Sequence, residues 1–301
     1  MMIGRRFLVA WLAVCVPATP ALAAHDREFW RGIVGQDYRV PDGESAVALL
    51  EELNGYLGSP DPELRDEFAY SIPAAWIYRD QRLTAAELNA FRTKWTANLT
   101  VGVGTIGSDT LLLRSFSALD LSLLAALDTK HEFLGRPEFG ELLTAAVDYM
   151  NAERDLRGWE PDKGWFHATA HTADLLKFLG RNGKLAVADQ GRILDAIAGK
   201  LAASGHAFGF GENERLARAV ESLVLRPDFD AARFEAFLAP LPGRSKAVWD
   251  AARLDPTEFA ALQNAKDLLR TLFTDLAQAE HLAPAAEAAR SQVLRCLKGM
   301  L

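Results

Sequence analysis

The chain has 301 residues, half of them apolar, with 24% charged residues, 9% aromatic residues and a net charge of −7. The apolar share excludes a disordered or low-complexity chain, and the acidic balance argues against nucleic acid as a partner. Two cysteines exclude a disulfide framework.

Residues 1–23 have the form of a Sec-type signal peptide. Arg5 and Arg6 supply the positive start, and Phe7 to Val16 is an apolar run shorter than the roughly twenty residues a bilayer span needs. Ala21-Leu22-Ala23 is an A-x-A cleavage signal, so the cut is expected after Ala23. The expected location is the periplasm, with no transmembrane segment left after cleavage. Loss of Arg5 and Arg6 takes the charge from −7 to −9, and loss of Cys15 leaves Cys296 alone. An exported chain with one cysteine has no internal disulfide and is held by packing.

Residues 24–301 read as a single domain with helical periodicity throughout. Gly43 to Leu57 places Leu49, Leu50, Leu53 and Leu57 on one face. Asp61-Pro62-Glu63 is a helix start, with Asp61 as N-cap and Pro62 in the first turn. That helix is expected to reach about Arg79, kinked at Pro73. Thr84-Ala85-Ala86-Glu87 is a capping box. Asp109 to Leu127 is a long apolar helix expected at the centre. Pro137 to Arg157 and Trp165 to Gly180 are expected to form an antiparallel pair. Gln190 to Ala203, Glu212 to Leu225 and Asp230 to Leu238 follow. Asp255-Pro256-Thr257-Glu258 opens another helix, and Pro284 to Leu297 closes the chain. No stretch alternates with period two over more than a few residues. The expected fold class is all-α, with antiparallel helix pairs stacked as a HEAT-like α-solenoid, an αα-superhelix.

One segment carries candidate chemistry. On a helix turning 100° per residue, His167, His171 and Asp174 share a face about 60° wide. Two imidazoles and a carboxylate from one helix make a facial ligand set for a divalent metal such as Zn²⁺ or Mn²⁺. Asp148, Asn151 and Asp155 form a polar stripe on the preceding helix. Asp155 is expected near His167, as a fourth ligand or as an acceptor that orients an imidazole. Arg154 and Arg157 flank it, and Trp159 and Trp165 bracket the intervening loop. The same residues also fit a buried hydrogen-bond network that ties packed helices together.

Other positions extend a groove. Arg65, Asp66, Glu67 and Tyr70 lie early on their helix, as an ion pair or as a groove wall. Arg114 sits inside the apolar helix and requires a buried carboxylate, with Asp66, Glu67 or Asp155 as candidates. The Gly- and aromatic-rich stretch Gly205 to Arg215 has no preceding strand and no Gly-Lys-Ser/Thr. It is therefore neither a P-loop nor a dinucleotide fingerprint, and reads as an ordinary loop or as the groove's rim.

The runs Arg154-Asp155-Leu156-Arg157-Gly158-Trp159, Lys163-Gly164-Trp165-Phe166-His167 and Ala170-His171-Thr172-Ala173-Asp174-Leu175-Leu176 resemble a bacterial family catalogued as domain of unknown function 2785. Leu64 to Tyr70 and Glu212-Asn213-Glu214-Arg215-Leu216-Ala217 are similar to that family as well. The resemblance implies an all-helical fold and one shared site at these positions, and it brings no activity with it.

Two functions compete on this sequence. The first is a binding α-solenoid that holds a protein, peptide or small molecule in a groove centred on Asp155, His167, His171 and Asp174. The second is a metal-dependent hydrolase with His167, His171 and Asp174 as ligands, joined by Asp155, and Asp66 or Glu67 as base. A carbohydrate-active αα-barrel, suggested by Trp76, Trp95, Trp159 and Trp165, lacks paired carboxylates at a recognisable spacing.

Overall fold

The computed structural model describes residues 25–301, so the signal segment and its cleavage site lie outside the described residues. Twelve α-helices account for most of the described chain, and the class is all-α. They are α1 (Arg27–Gly35), α2 (Ala46–Leu53), α3 (Ala85–Asn98), α4 (Thr110–Lys130), α5 (Arg136–Ala152) and α6 (Ala168–Arg181). The remainder are α7 (Val187–Ala202), α8 (Glu212–Val224), α9 (Ala231–Leu238), α10 (Pro240–Asp250), α11 (Pro256–Gln278) and α12 (Pro284–Gly299). Among the described residues the only sheet is a two-residue ladder, β1 (Trp159–Glu160) with β2 (Gly164–Trp165).

The capping chemistry works as the side chains dictate. The Thr84 hydroxyl accepts the Glu87 N–H, and the Glu87 carboxylate accepts the Thr84 N–H at 2.7 Å. Asp61 accepts the Glu63 N–H, and Asp255 accepts those of Thr257 and Glu258. Helices α1 and α10 have no counterpart among the expected elements. α10 opens on Pro240-Leu241-Pro242-Gly243, a run with the composition of a loop. Its prolines fall in the first turn, where the N–H groups have no intrahelical partner, and packing on α9, α11 and α12 holds the rest.

The segment expected as a helix kinked at Pro73 is instead a wide one. Glu63–Ser71 and Ala74–Arg79 are π-helical, with Pro73 at the junction between them. Proline has no N–H to give the preceding turn, and i→i+5 bonding redistributes the carbonyls left without a donor. Asp66, Tyr70, Ala74 and Tyr78, four residues apart, lie along one face of this wide helix.

Two rows of helices build the core. α4, α6, α8 and α11 pack side by side in one row, and the π-helix covers the outer flank of α4. α3, α5, α7 and α9 form the other row. The connections α3–α4, α5–α6 and α7–α8 each join one row to the other. A continuous buried apolar cluster runs from Trp30 to Met300. Trp76 and Trp95 belong to it, with indole N–H groups bonded to the Tyr38 carbonyl and to Asn54 Oδ1. They are core residues and line no groove. Cys296 is buried on α12.

α4 is the helix on which the site rests. Its length and apolarity would suffice to cross a bilayer, but 89% of the apolar window is buried inside the fold. Such burial identifies a central helix packed on all sides. Between its ends the polar side chains Arg114, Ser115, Ser117, Asp120, Ser122 and Asp128 are buried as well.

Candidate functional site

A cleft of about 830 Å³ opens where the π-helix, α4, α6 and the start of α8 meet. α4 gives it an apolar floor of Phe116, Leu119 and Leu123. Asp66 and Tyr70 approach from the π-helix, and His171, Asp174 and Lys177 from α6. Phe210, Arg215 and Arg218 close the far side. The stretch Gly205 to Arg215 does reach the rim of this cleft, through Phe210, Gly211, Glu214 and Arg215.

His167 stands one position before α6, and this corrects the helical-wheel picture. Its backbone is left-handed, with φ 49° and ψ 28°, and α6 starts only at Ala168. A non-glycine residue in this region carries a small conformational cost and is held there by its surroundings. The hairpin does the holding. Phe166 N–H donates to the Gly158 carbonyl, and His167 N–H donates to the Arg157 carbonyl at 3.1 Å. The imidazole stacks on Trp165 with centroids 4.5 Å apart. Its Nε2 lies 2.7 Å from the Phe210 carbonyl oxygen. A carbonyl only accepts, so Nε2 carries the proton and Nδ1 holds the lone pair.

His171 is fixed by α4. Its Nδ1 is 2.8 Å from Ser115 Oγ, and the Ser115 hydroxyl donates to the Phe166 carbonyl. That hydroxyl has one proton, so Nδ1–H must be the donor to Ser115, and the His171 lone pair sits on Nε2. Burial, then the proximity of His167 and Arg215, pushes the His171 pKa well below the ordinary histidine value. Burial also lowers that of His167, opposed by Glu212 and the Phe210 carbonyl. Both rings are neutral at neutral pH.

Charged groups surround the pair. Asp174 is bound by Lys177 Nζ at 2.8 Å and by Arg215. Arg65 Nε donates to Asp66 at 2.7 Å, while its other nitrogens bond the Ser59 and Lys163 carbonyls. Burial raises the pKa of Asp66 despite Arg65. Burial, together with Asp120 and Asp174, raises the Tyr70 hydroxyl to about 12.

The profile of a family described as "Protein of unknown function (DUF2785)" matches residues 99–274, more than half of the chain. The chain belongs to this family. No curated protein and no solved structure matches it.

The DUF2785 segment contributes α4, α6, α8 and the hairpin to the cleft, whereas Asp66, Tyr70 and Tyr78 precede it in the chain. Several residues expected in the groove lie elsewhere. α5 ends at Ala152, so Asp155 is not on the helical stripe with Asp148 and Asn151. Its carboxylate accepts Gly107 N–H at 2.8 Å and is clamped by Arg157, away from the histidines. Burial opposes ionisation of Asp155, but Arg157 and these N–H groups outweigh it and hold the pKa below the usual range. Arg157 also lies over the Phe166 ring. Arg154 and Glu67 are exposed, and neither lines the cleft. Trp159 is half-exposed and outside it, while its ladder partner Trp165 is a wall. Arg114 pairs with Glu153 at 2.7 Å, and none of its three expected partners fills that role. No group of three or more His, Cys, Asp or Glu side chains among the described residues is placed to hold a metal ion. Of the four residues expected as a ligand set, His167, His171 and Asp174 line the cleft, with Asp174 held by Arg215 and Lys177, while Asp155 is held by Arg157 outside it.

Two buried acids of the DUF2785 segment stand near the cleft, and only Glu212 falls in a run that the family resemblance marks. Glu212 is buried, and its carboxylate lies 3.8 Å from His167 Nε2 and accepts Phe210 N–H at 2.9 Å. Asp120 is buried on α4 with neither oxygen hydrogen-bonded. Its signal was available, as a lone acid in the middle of an apolar helix.

Gly158 lets the Phe210 wall approach. A Cβ at this position would collide with the Phe210 ring and lie 2.9 Å from Glu212 Oε1. Gly158→Ala is therefore expected to cost about 1–3 kcal/mol in urea denaturation, by forcing Phe210 outward. The same variant should shift tryptophan emission, because Phe210 meets Trp165 edge-on at 6.2 Å.

Proposed function

We propose that the protein is an exported binding protein, an α-solenoid that holds a small organic ligand in the cleft beside His167 and His171. The observation that carries this reading is the cleft itself. It combines a volume of about 830 Å³ and an apolar floor with a few convergent polar groups held by partners behind them. The two parallel rows of helices, joined by successive hairpins, support the α-solenoid description. Export rests on the signal-like residues 1–23. A role as a metal-dependent hydrolase has less support, since Asp155 and Asp174 are engaged by arginines rather than directed at the imidazoles.

The binding test is thermal melting of the purified mature chain against sugars, amino acids and organic acids. At least one compound should raise the melting temperature saturably, and Trp165→Ala should weaken that effect. A panel in which nothing binds defeats the reading. Export is tested separately, by periplasmic fractionation and N-terminal sequencing, with Ala24 expected as the first residue.

A further inference from the structure

The cleft lining holds two histidine rings whose tautomers are fixed by their partners. Ser115 and the Phe166 carbonyl commit His171 to the Nδ1–H form, and its Nε2 carries no hydrogen bond from the described residues. That nitrogen is not sealed among the buried partnerless atoms, and the ring lines the cleft. His171 is only 5% exposed, so the open edge faces the cleft rather than bulk water. The Phe210 carbonyl likewise commits His167 to the Nε2–H form, which leaves its Nδ1 free as an acceptor. The two rings sit 5.6 Å apart in an edge-to-face arrangement. Nε2 of His171 is therefore open to a hydrogen-bond donor carried by a ligand in the cleft.

The remaining lining restricts what that donor belongs to. Lys177, Arg215 and Arg218 are matched in number by Asp66, Asp174 and Glu214, which favours a ligand without net charge. Neutral imidazoles offer an anion no ionic attraction. The Asp174–Arg215 pair sets an acceptor beside a donor, the pattern a hydroxyl group can satisfy from both sides. Trp165, Phe210, Phe178 and Tyr70 add aromatic surface suited to the C–H face of a saturated ring. We infer that the cleft takes a neutral, hydroxyl-rich ring of the sugar class, with a ligand hydroxyl donating to Nε2 of His171 and the ring's C–H faces against the aromatic wall. This inference rests on the binding-cleft reading above and names the ligand class for it.

The test titrates the untagged mature protein with glucose, galactose, N-acetylglucosamine, maltose and cellobiose, followed by tryptophan emission and thermal melting. A parallel set contains glutamate, inorganic phosphate and Zn²⁺. At least one sugar should bind saturably, and His171→Ala should weaken it about tenfold, the effect of one lost buried hydrogen bond. Trp165→Ala, at a half-exposed position, should weaken it as well and still fold, which keeps the test decisive if His171→Ala does not fold. Sugar binding unaffected by Trp165→Ala would place the site elsewhere and overturn the inference. Binding of glutamate or phosphate without any sugar would overturn it and leave the binding cleft standing, whereas binding of Zn²⁺ alone would overturn it in favour of a metal site. Silence from both sets would overturn the inference, while the binding-cleft reading stands or falls on the wider panel of amino acids and organic acids.

Discussion

Arg114→Met is expected to lower stability by about 3–5 kcal/mol, because it strands a buried carboxylate. Arg114 is fully buried, and its Nε donates to Glu153 at 2.7 Å. Nη1 donates to the Val101 carbonyl and Thr110 Oγ1. Glu153 is held in return: its Oε1 accepts the backbone N–H groups of Arg154 and Asp155, each at 2.9 Å. Lys200 Nζ binds the Glu153 carbonyl, and burial lowers that lysine to about 8. The pair thus ties α4 to the end of α5 and to the loop after α3. Methionine fills a similar volume but supplies no donor. Adding Glu153→Gln should recover a substantial part of the loss, since glutamine still accepts both backbone N–H groups and carries no charge. Urea denaturation of the single and double variants decides the matter. A loss below about 1 kcal/mol for Arg114→Met would mean that water reaches the pair and screens it.

Arg114 also shows how far the sequence can be read. That an arginine inside an apolar helix needs a carboxylate follows from the cost of burying a charge, and the structure supplies one. Which carboxylate it is depends on where α5 stops, and helix ends are weakly encoded when no glycine or proline marks them. In the sequence the helical pattern runs on to Arg157, which puts Asp155 on a helical face and gives Glu153 no role. His167 failed for a related reason. The pattern from His167 to Asp174 is helical, but the hairpin hydrogen bonds draw the backbone of His167 into the left-handed region, and a wheel has no place for that. His171 and Asp174 lie inside α6, and both reach the cleft. The cap at Thr84 was legible because its chemistry is local. The wide turns of the π-helix were not, since only the kinking residue Pro73 is visible in the sequence and its effect depends on what the helix packs against.

Asp120→Leu is expected to raise stability at pH 7 by about 3 kcal/mol, combining relief of an unsatisfied buried polar group with added apolar contact. Asp120 is buried on α4, and neither carboxylate oxygen has a hydrogen-bond partner. Burial alone drives its pKa well above the usual carboxylate value. Leucine has the same branch point at Cγ, so it enters without a new rotamer class. The sign of the pH dependence follows from proton binding. Between the unfolded pKa of about 3.9 and the raised folded one, the native state binds more protons than the unfolded chain. Wild-type stability therefore falls through Asp120 as pH rises across that window. The advantage of Asp120→Leu should be smaller at pH 4 than at pH 7, and the comparison between the two proteins cancels the titration of the other carboxylates. An advantage independent of pH would show that Asp120 titrates normally, and that water solvates it. A destabilised variant would show that the carboxyl has a partner that leucine cannot replace. The burial of an unpartnered acid beside Tyr70 is a standing cost to the fold, and natural chains keep such costs mainly where a site requires them. If Asp120→Leu gains stability and loses ligand binding, the acid belongs to the cleft's function. If it gains stability and binds as before, Asp120 is a structural fault that the surrounding helices tolerate.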